Sequence, residues 1–283
     1  MSEQSYLSIY AKSFNWAGFF LPKQTYLKCS ALYDFCRVAD NIADSNETID
    51  IKKIKFLDFQ QNFNNHKFDD PIIKNMWQLI NEFNIPLKVV HDLLDGINSD
   101  IQKNIKLNKK KDLLLYSYRV AGTVGLMMAK ILRVNKKSSL KSAIDLGIAM
   151  QLTNISRDVV EDLNFGRSYI NLNFEEIRST IELSENYYRN SFYSIKEIPF
   201  TFRFAILVAR RVYRKIGYKI LRKQNLEDYR KSGKIYVSNI EKIIETLLSI
   251  FDLIKLSLIS KNDDNIEHDH DLINEEINLN ERI

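Results

Sequence analysis

The chain has 283 residues, of which 45% are hydrophobic and 27% are charged, and its formal net charge is +5 at pH 7. This length allows a sizeable buried core, and only four prolines and eight glycines favour a mostly helical globular protein over a loop-rich or disordered one. The two cysteines, Cys29 and Cys36, exclude a disulfide framework and a Cys/His zinc site, so we expect reduced thiols in a reducing compartment.

Secretion and membrane-spanning signals are not evident in the sequence. The first residues lack the basic region and apolar run of a secretory signal. The longest nearly uncharged apolar run, residues 120–129, is shorter than the about 20 residues that a bilayer span requires. We therefore expect a cytoplasmic protein that is soluble or peripherally attached to a membrane.

Hydrophobic periodicity predicts helices along the whole chain and no strand. Four prolines each precede an apolar-periodic segment, and capping-box patterns occur at Asn173-x-x-Glu176 and Ser238-x-x-Glu241. The predicted helices span about residues 5–18, 23–44, 50–64, 71–83, 87–104, 110–133, 138–163, 174–194, 200–225 and 239–260.

The sequence contains no internal repeat and no Pro/Gly/Ser-rich linker, which indicates a single helical domain. We assign residues 1–260 to this domain and residues 261–283 to an acidic, polar C-terminal tail. We expect this tail to be frayed or disordered and its two histidines, His268 and His270, to be solvated.

The second predicted helix carries a polar stripe on otherwise apolar faces. Tyr33, Arg37, Asp40 and Asp44 stand at positions i, i+4, i+7 and i+11, which places them on one side of the helix. Taken alone, the stripe is equally compatible with a surface ion pair between Arg37 and Asp40, which would contribute little to stability.

A similar stripe occurs on the helix predicted for residues 138–163. Gln151, Asn154, Asp158 and Asp162 stand at i, i+3, i+7 and i+11. Like charges four residues apart repel by roughly 0.2–0.5 kcal/mol on a surface and by more when they are desolvated. A single stripe of this kind is usually a solvated helix face, but two such stripes in one bundle indicate a shared site for a cation.

Hard divalent cations suit such a site. Mg²⁺ accepts one or two carboxylates per ion and completes its octahedron with water and phosphate oxygens. The two stripes therefore predict a cavity in which Mg²⁺ bridges carboxylates to a diphosphate, while arginines neutralise further charge.

Two glycines interrupt the helix predicted for residues 110–133. Gly122 and Gly125 each cost roughly 1 kcal/mol relative to Ala inside a helix, so a packing or functional reason is expected. Close approach of a neighbouring helix and room for a long apolar ligand are both compatible with this pattern.

Three segments resemble the signature segments of the squalene/phytoene synthase family. They are residues 31–44 (ALYDFCRVADNIAD), 116–128 (YSYRVAGTVGLMM) and 149–170 (AMQLTNISRDVVEDLNFGRSYI). Residues 13–22, 209–220 and 233–238 resemble other family segments, so the likeness covers roughly residues 10–250. The resemblance implies an all-α, single-domain helical bundle of the isoprenoid-synthase type with a central cavity.

The resemblance also implies roles for individual residues. The metal ligands would be Asp40, Asp44, Asp158 and Asp162. The catalytic set would be Tyr33, Arg37, Tyr118, Arg157 and Tyr213, with the three tyrosines lining the cavity. Substrate binding would fall to Lys12, Ser13, Gln151, Asn154, Arg167, Tyr169 and Lys234.

Three positions depart from the family pattern. Asn41 stands where the middle position of the first motif is often Asp, although the outer aspartates are kept. Tyr10 stands where some relatives have His, and Lys234 where many have Arg, so Lys234 keeps the charge but loses bidentate phosphate geometry.

The implied activity is head-to-head condensation of two geranylgeranyl diphosphates to phytoene through a cyclopropylcarbinyl diphosphate, as in carotenoid biosynthesis. The implied cofactor is Mg²⁺, with Mn²⁺ as a possible substitute. No Gly-x-Gly sequence occurs, so we expect no NADPH. The tyrosine-rich segment most resembles bacterial phytoene synthases, but dehydrosqualene synthases share its AGTVG core.

Two alternatives stay open at this point. A C30 synthase would use farnesyl diphosphate to make dehydrosqualene, squalene or presqualene diphosphate. A non-catalytic helical assembly factor would be expected to have lost the aspartates that this chain retains.

The basic region at residues 203–234 is most simply a solvated face, with contact to anionic lipid as an alternative. No nucleic-acid module accompanies it, so a nucleic-acid partner is not expected. The sequence specifies no oligomeric state.

Overall fold

The computed structural model describes residues 12–102, 104–258 and 270–283, and these residues form a bundle of α-helices around a cavity. The bundle confirms the predicted all-α fold class. Its helices are α1 (Lys12–Gly18), α2 (Lys23–Asp44), α3 (Ile49–Asn64), α4 (Pro71–Phe83), α5 (Leu87–Ser99), α6 (Lys110–Ser117), α7 (Thr123–Ile131), α8 (Lys137–Asn164), α9 (Phe174–Phe192), α10 (Phe200–Leu221), α11 (Leu226–Lys231), α12 (Asn239–Leu258) and α13 (Asp271–Asn274).

The 28-residue helix α8 lies at the centre of the bundle, where it contacts α6, α7, α9 and α10. Ile144, Ile148, Leu152 and Val159 lie on one side of α8 and are buried, as the apolar spacing requires. The helix ends just before Gly166, whose φ of +73° is a conformation that glycine adopts without steric cost. The residue after this turn, Arg167, donates to Asp44 of the first aspartate stripe.

The predicted capping boxes are formed to different extents. The Glu241 N–H donates to Ser238 Oγ (3.2 Å) and the Ser238 N–H donates to the Glu241 carboxylate (2.8 Å), which is a complete box. At Asn173, the side-chain oxygen accepts the N–H of Glu175 (2.8 Å), while the Glu176 carboxylate binds another side chain. Both helices begin at the predicted positions.

Close approach of α7 and α8 explains the small residues of the tyrosine-rich segment. A Cβ on Gly125 would lie 2.2 Å from the carbonyl oxygen of Ala143, and a Cβ on Gly147 would lie 2.2 Å from that of Ala121. Gly125 also lines the cavity, so packing and ligand space both depend on it. The helix predicted here runs without a break to Ile131, but a π-helical turn at Tyr118–Gly122 replaces the α-helical hydrogen-bond pattern between α6 and α7.

Two short strands were not predicted. β1 (Ile105–Lys106) and β2 (Arg167–Ser168) form a parallel pair, with Ile105 opposite Arg167. Two residues are too few to produce a period-2 pattern, which is why hydrophobic alternation did not reveal them. Their pairing holds the chain after α8 against the end of α5.

The basic residues of α10 do not form the expected solvated face. Arg211 is paired with Asp252 (2.6 Å) and Glu245 (3.2 Å), and Lys219 is paired with Glu241 (2.8 Å). All three acidic partners lie on α12, which packs along α10. The expectation of a solvated face was wrong because a run of basic residues in the sequence does not show whether another helix packs against them.

The end of the chain is packed rather than frayed. His270 Nε2 lies 2.6 Å from the Asp145 carboxylate of α8, and both side chains are buried. Ile273 and Leu279 are also buried, and α13 contacts α6. For residues 270–283 the expectation of a disordered tail with a solvated His270 is therefore wrong. The acidic composition of this segment suggested disorder, although a few apolar residues within it are buried.

Some predictions fall on residues outside the described part of the chain: the start of the first helix, Tyr10, the side chain of Lys12, and His268. The domain boundary at residue 260 also stays a prediction. Cys29 and Cys36 are free and buried. In the described residues, no helix is both long and apolar enough to cross a membrane.

Candidate active site

The bundle encloses a cavity of about 370 Å³, within the range of small-molecule sites. Its wall is largely apolar and comes from α1, α2, α7, α8 and α10, with Val124 and Met128 of the tyrosine-rich segment among the lining residues. Its polar lining includes five side chains that were predicted to belong to the site: Tyr33, Asp40, Gln151, Asn154 and Tyr213. Residues of both polar stripes therefore line one cavity, as the sequence predicted, whereas Asp44, Asp158 and Asp162 are not among its lining residues.

The first aspartate pair lies at the end of α2. Arg167 Nη1 donates to the Asp44 carboxylate at 2.8 Å, and Arg37 Nη1 lies 4.0 Å from the same carboxylate. Burial, together with the nearby charge of Asp44, raises the pKa of Asp40 to about 7, although Arg37 and Arg167 partly oppose this shift. Asp44 is thus paired with an arginine and is called matched below, whereas Asp40 lies near other carboxylates and is called unmatched.

The second pair lies on the last two turns of α8. Arg157 donates to Asp158 through Nε (2.8 Å) and Nη2 (2.5 Å), and Lys234 Nζ lies 3.4 Å from the same carboxylate. Burial, with the charge of Asp158, raises the pKa of Asp162 to about 7. Lys234 also contacts Glu161 (2.5 Å), a residue that was not predicted to belong to the site.

Arg167 connects the two pairs. Its guanidinium lowers the pKa of both Asp40 and Asp162, against the larger effect of burial on each. Nη2 of the same side chain also donates to the carbonyl oxygens of Ala43 (3.3 Å) and Asp100 (3.4 Å). Because Gly166 and β2 hold Arg167 in place, the backbone geometry after α8 positions the cation between the two helices.

Asp100 belongs to the same polar cluster, although the sequence did not identify it as a site residue. Its carboxylate accepts the hydroxyls of Tyr169 (2.6 Å) and Tyr116 (2.8 Å), whose rings stack with centroids 4.5 Å apart. Its charge also raises the pKa of Asp40 and Asp162. A lone Asp after a helix end carries no spacing signal, so only the fold reveals it.

The amide residues of the second stripe form a short pair. Asn154 Nδ2 lies 3.4 Å from Gln151 Oε1, and Asn154 Oδ1 is buried and has no hydrogen-bond partner within residues 12–102, 104–258 and 270–283. Both side chains line the cavity. A buried carbonyl oxygen without a donor is costly, so this position is suited to accept a hydrogen bond or a cation from a ligand.

Tyr33 and Tyr213 line the cavity, and burial raises the pKa of both phenols, so both are neutral hydroxyls at pH 7. Tyr118 does not line it. This tyrosine is fully buried, and its hydroxyl donates to Asp92 (2.9 Å), which also accepts from Arg282 (2.8 Å). The expectation that Tyr118 lines the cavity is therefore not met, while its catalytic role stays a prediction; Tyr116 hydrogen-bonds to Asp100 of the polar cluster instead.

Ser13 lies on α1, the helix that also supplies the cavity residues Phe14 and Ala17. Tyr229 was not predicted, yet it ties α11 to α8 by donating to the carbonyl oxygens of Ser156 (2.8 Å) and Arg157 (2.9 Å). Tyr229 thus supports the helix segment that carries Arg157 and Asp158.

The arrangement fits divalent cations that are shared with a ligand. In the described residues, no group of three or more His, Cys, Asp or Glu side chains could hold a metal ion. The unmatched aspartates Asp40 and Asp162 nevertheless lie among like charges, and a cation would relieve their repulsion. Such an ion would need further oxygen ligands, as Mg²⁺ does when it binds protein carboxylates together with phosphate.

Comparison with known proteins agrees with these features. A family model described as squalene/phytoene synthase matches residues 8–173. The 15-cis-phytoene synthase of Enterobacter agglomerans is 30% identical over 247 residues, which cover 76% of this chain and 83% of that protein. The 4,4'-diapophytoene synthase of Staphylococcus haemolyticus is 30% identical over 192 residues, covering 63% and 67% of the two chains.

Among solved structures, a dehydrosqualene synthase in complex with ligand superimposes with a TM-score of 0.73 at 28% identity. The match covers 89% of this chain and 95% of that one. The matched family, the shared helical fold and the two facing aspartate stripes lead to one conclusion. The chain belongs to the squalene/phytoene synthase family of head-to-head prenyltransferases, which act on prenyl diphosphates.

Proposed function

We propose that this protein condenses two molecules of geranylgeranyl diphosphate head to head to form phytoene, with release of diphosphate. The observation that carries the proposal is a cavity whose wall is largely apolar and whose polar lining includes Tyr33 and Asp40 of one stripe and Gln151 and Asn154 of the other. The apolar wall is suited to prenyl chains, and the charged cluster is suited to diphosphates. The similarity to 15-cis-phytoene synthase supports the choice of substrate.

The proposed metal site comprises Asp40 and Asp44 on α2 and Asp158 and Asp162 on α8. Bound Mg²⁺, or Mn²⁺ in its place, would supply positive charge that stabilises the departing diphosphate. Asp40 and Asp162 would be the principal ligands, since arginine already neutralises the other two carboxylates. No nicotinamide cofactor is needed for phytoene formation.

The chain's own residues would then bind and orient the diphosphates. Arg157, Arg167 and Lys234 each contact an aspartate of the cluster, and their free donors can turn toward phosphate oxygens as charge-assisted hydrogen bonds. Asn154 and Gln151 add uncharged polar groups beside them. Fixed charges of this kind stabilise a leaving diphosphate without reorganising in the reaction.

Apolar side chains would protect the carbocations that ionisation produces. The wall of the cavity near Val124, Met128 and Leu146 is apolar, and it excludes water from the prenyl chains. Tyr33 and Tyr213 border this region as neutral hydroxyls, so their oxygens and rings can stabilise cationic carbon without capturing it.

A second candidate function is the C30 reaction, in which two farnesyl diphosphates give dehydrosqualene. The similarity to a 4,4'-diapophytoene synthase and to a dehydrosqualene synthase favours this alternative. Both reactions use the same charged cluster and differ only in the length of chain that the apolar wall must accommodate.

Incubation of the purified protein with Mg²⁺ and either the C15 or the C20 diphosphate distinguishes these functions. We expect phytoene from the C20 substrate without added NADPH, identified by chromatography and mass spectrometry. A C30 hydrocarbon formed preferentially from farnesyl diphosphate would overturn the choice of substrate. The absence of any hydrocarbon from either substrate would contradict the proposed catalysis and favour an assembly role.

A further inference from the structure

Helix α12 is packed with its polar side inward. Lys242, Glu245 and Ser249 are buried, although they are among the most polar residues of the helix. Nine large apolar side chains of the same helix are each more than one-third exposed, and the most exposed are Leu258 (79%), Ile240 (72%) and Phe251 (66%). This is the reverse of the usual orientation of a surface helix, whose apolar stripe faces the core.

Charge pairing with α10 explains the inversion. Arg211 binds both Glu245 and Asp252, and Lys215 Nζ lies 3.3 Å from Glu245. On α1, the indole N–H of Trp16 donates to Thr246 Oγ1 at 3.0 Å. These contacts attach the polar side of α12 to the bundle, so its apolar side is turned outward.

The width of the apolar face distinguishes between possible occupants. At 100° per residue, the exposed positions between Ile240 and Leu258 cover about 160° of the helix circumference. A helix that pairs with one partner helix needs only a narrow seam bordered by charged residues. A face this broad is suited instead to a continuous apolar medium, as in helices that lie in a membrane interface.

The charges of α12 are compatible with a lipid surface. Its three carboxylates, Glu241, Glu245 and Asp252, are all engaged by cations of α10. Lys255 is exposed near the apolar face, with its ammonium 5.4 Å from the ring of Phe192. The outward side therefore carries an ammonium and no unpaired carboxylate that would repel lipid phosphates.

Exposed apolar residues also occur where the cavity wall reaches the surface. Phe19 is 75% exposed and lies between Gly18 and Leu21, which both line the cavity. Phe200 is 63% exposed at the start of α10 and follows the cavity residue Ile198. The same α1 that supplies cavity residues contacts α12 through Trp16, and Phe20 beside Phe19 packs against Phe204 of α10, so the cavity wall and α12 are neighbours in the bundle.

We propose that the outward face of α12 docks on the surface of a lipid bilayer and that this attachment brings the edge of the cavity at Phe19 and Phe200 toward the membrane. The choice of a lipid occupant rests on the proposed function, because the prenyl chains of the substrate and the hydrocarbon product partition into membranes rather than water. Docking is peripheral: the helix lies in the interface and does not span the bilayer.

Flotation of the full-length protein with vesicles of equimolar phosphatidylglycerol and phosphatidylcholine tests this proposal without any diphosphate substrate. We expect the wild-type protein to float with the vesicles. The double variant Leu247→Gln/Phe251→Gln should have a vesicle–water partition coefficient at least tenfold lower than the wild type. Gln is a good helix former, so α12 is retained. The matched control is Ile54→Gln/Leu57→Gln on α3, where both residues are also more than half exposed; it should float like the wild type.

Two outcomes would overturn the proposal. The first is equal flotation of the α12 variant and the wild type, or no flotation of either. The second is a wild-type dimer in light scattering that the α12 variant converts to a monomer without any binding to vesicles, which would assign the face to a second copy of the chain. Hydrocarbon synthesis in detergent, measured separately, tests the proposed function, so the two proposals can fail independently.

Discussion

The two aspartate pairs differ in which member is neutralised. On α2 the outer residue, Asp44, is held by Arg167, and the inner residue, Asp40, lies among other carboxylates. On α8 the order is reversed: Asp158 is held by Arg157, and the terminal residue Asp162 has the raised pKa. Sequence spacing makes the pairs look equivalent, whereas the fold gives each pair one matched and one unmatched carboxylate.

This difference indicates that the two aspartates of each pair have separate roles in the site. The matched aspartates orient the arginines that would contact a diphosphate, and the unmatched ones would attract the cation. Arg167 acts on both pairs, while Arg157 and Lys234 lie against the second pair. Variants that separate these roles test the comparison.

Replacement of an aspartate should have the largest effect. We expect Asp40→Asn and Asp158→Asn each to lower hydrocarbon formation by roughly 10²–10³-fold, because Asp40 is a proposed ligand of the Mg²⁺ that would stabilise the leaving diphosphate and Asp158 holds Arg157 in place. Product assays with circular dichroism on the same samples would separate catalysis from folding. Asp58→Asn on the exposed surface of α3 is the control, and near-wild-type turnover of either site variant would refute the proposed metal site.

Loss of Arg167 should affect both pairs at once. Arg167→Gln removes the cation that lowers the pKa of Asp40 and Asp162, so both pKa values should rise further and the acid limb of the activity profile should move to higher pH. Arg157→Gln should move the acid limb less, since its guanidinium lies against Asp158; equal shifts in both variants would contradict the distinction.

The unmatched aspartates should make the stability of the metal-free protein depend on pH. Their pKa is raised from 3.8 to about 7 on folding, so their contribution to stability is complete below pH 4 and is lost as the pH rises through 7. Each could change the free energy of unfolding by about 1–4 kcal/mol, the upper figure corresponding to the full shift.

Thermal unfolding between pH 5 and 8 tests this sign. Mg²⁺ should raise the melting temperature more at pH 8 than at pH 6, because the ion replaces the missing protons. The double variant Asp40→Asn/Asp162→Asn should lose both effects. Parallel melting curves for the wild type and the double variant across this range would show that these two carboxylates do not titrate as described.

The smallest effect on turnover is expected at Tyr118. Tyr118→Phe removes a buried hydrogen bond to Asp92 and should lower stability by about 1–3 kcal/mol, with turnover within about twofold of the wild type. Tyr116→Phe should reduce turnover more, since it removes a donor to Asp100 beside both aspartate pairs. A large loss of turnover in Tyr118→Phe at unchanged melting temperature would restore a role for Tyr118 in catalysis.

Much of the site was predictable from local spacing. Tyr33, Asp40, Gln151 and Asn154 line the cavity, as their positions on two helix faces implied. Asp100 could not be found this way, since it is a single residue after the end of α5 and acquires its surroundings from two other segments. Position in a stripe predicts which face a residue lies on, but not which partners reach it from distant parts of the chain.

The outer helices were less predictable than the core. The alternation of polar and apolar residues in α12 predicts an amphipathic helix, but not which side faces the bundle. The ion pairs of Arg211 decide that orientation, and they exist only after α10 and α12 have packed together. The same limit applies to the C-terminal segment, whose few apolar anchors are buried by contacts with α6 and α8.

The sequence by itself determined the helical class, the positions of most helices and the two facing stripes, because helix periodicity is a local property that a few neighbouring residues specify. Only the tertiary structure decided which aspartate of each pair is neutralised, that Tyr116 rather than Tyr118 reaches the site, and that α12 presents its apolar side outward. These features depend on charges and side chains that come together from distant segments, and burial, which sets their strength, exists only in the folded chain.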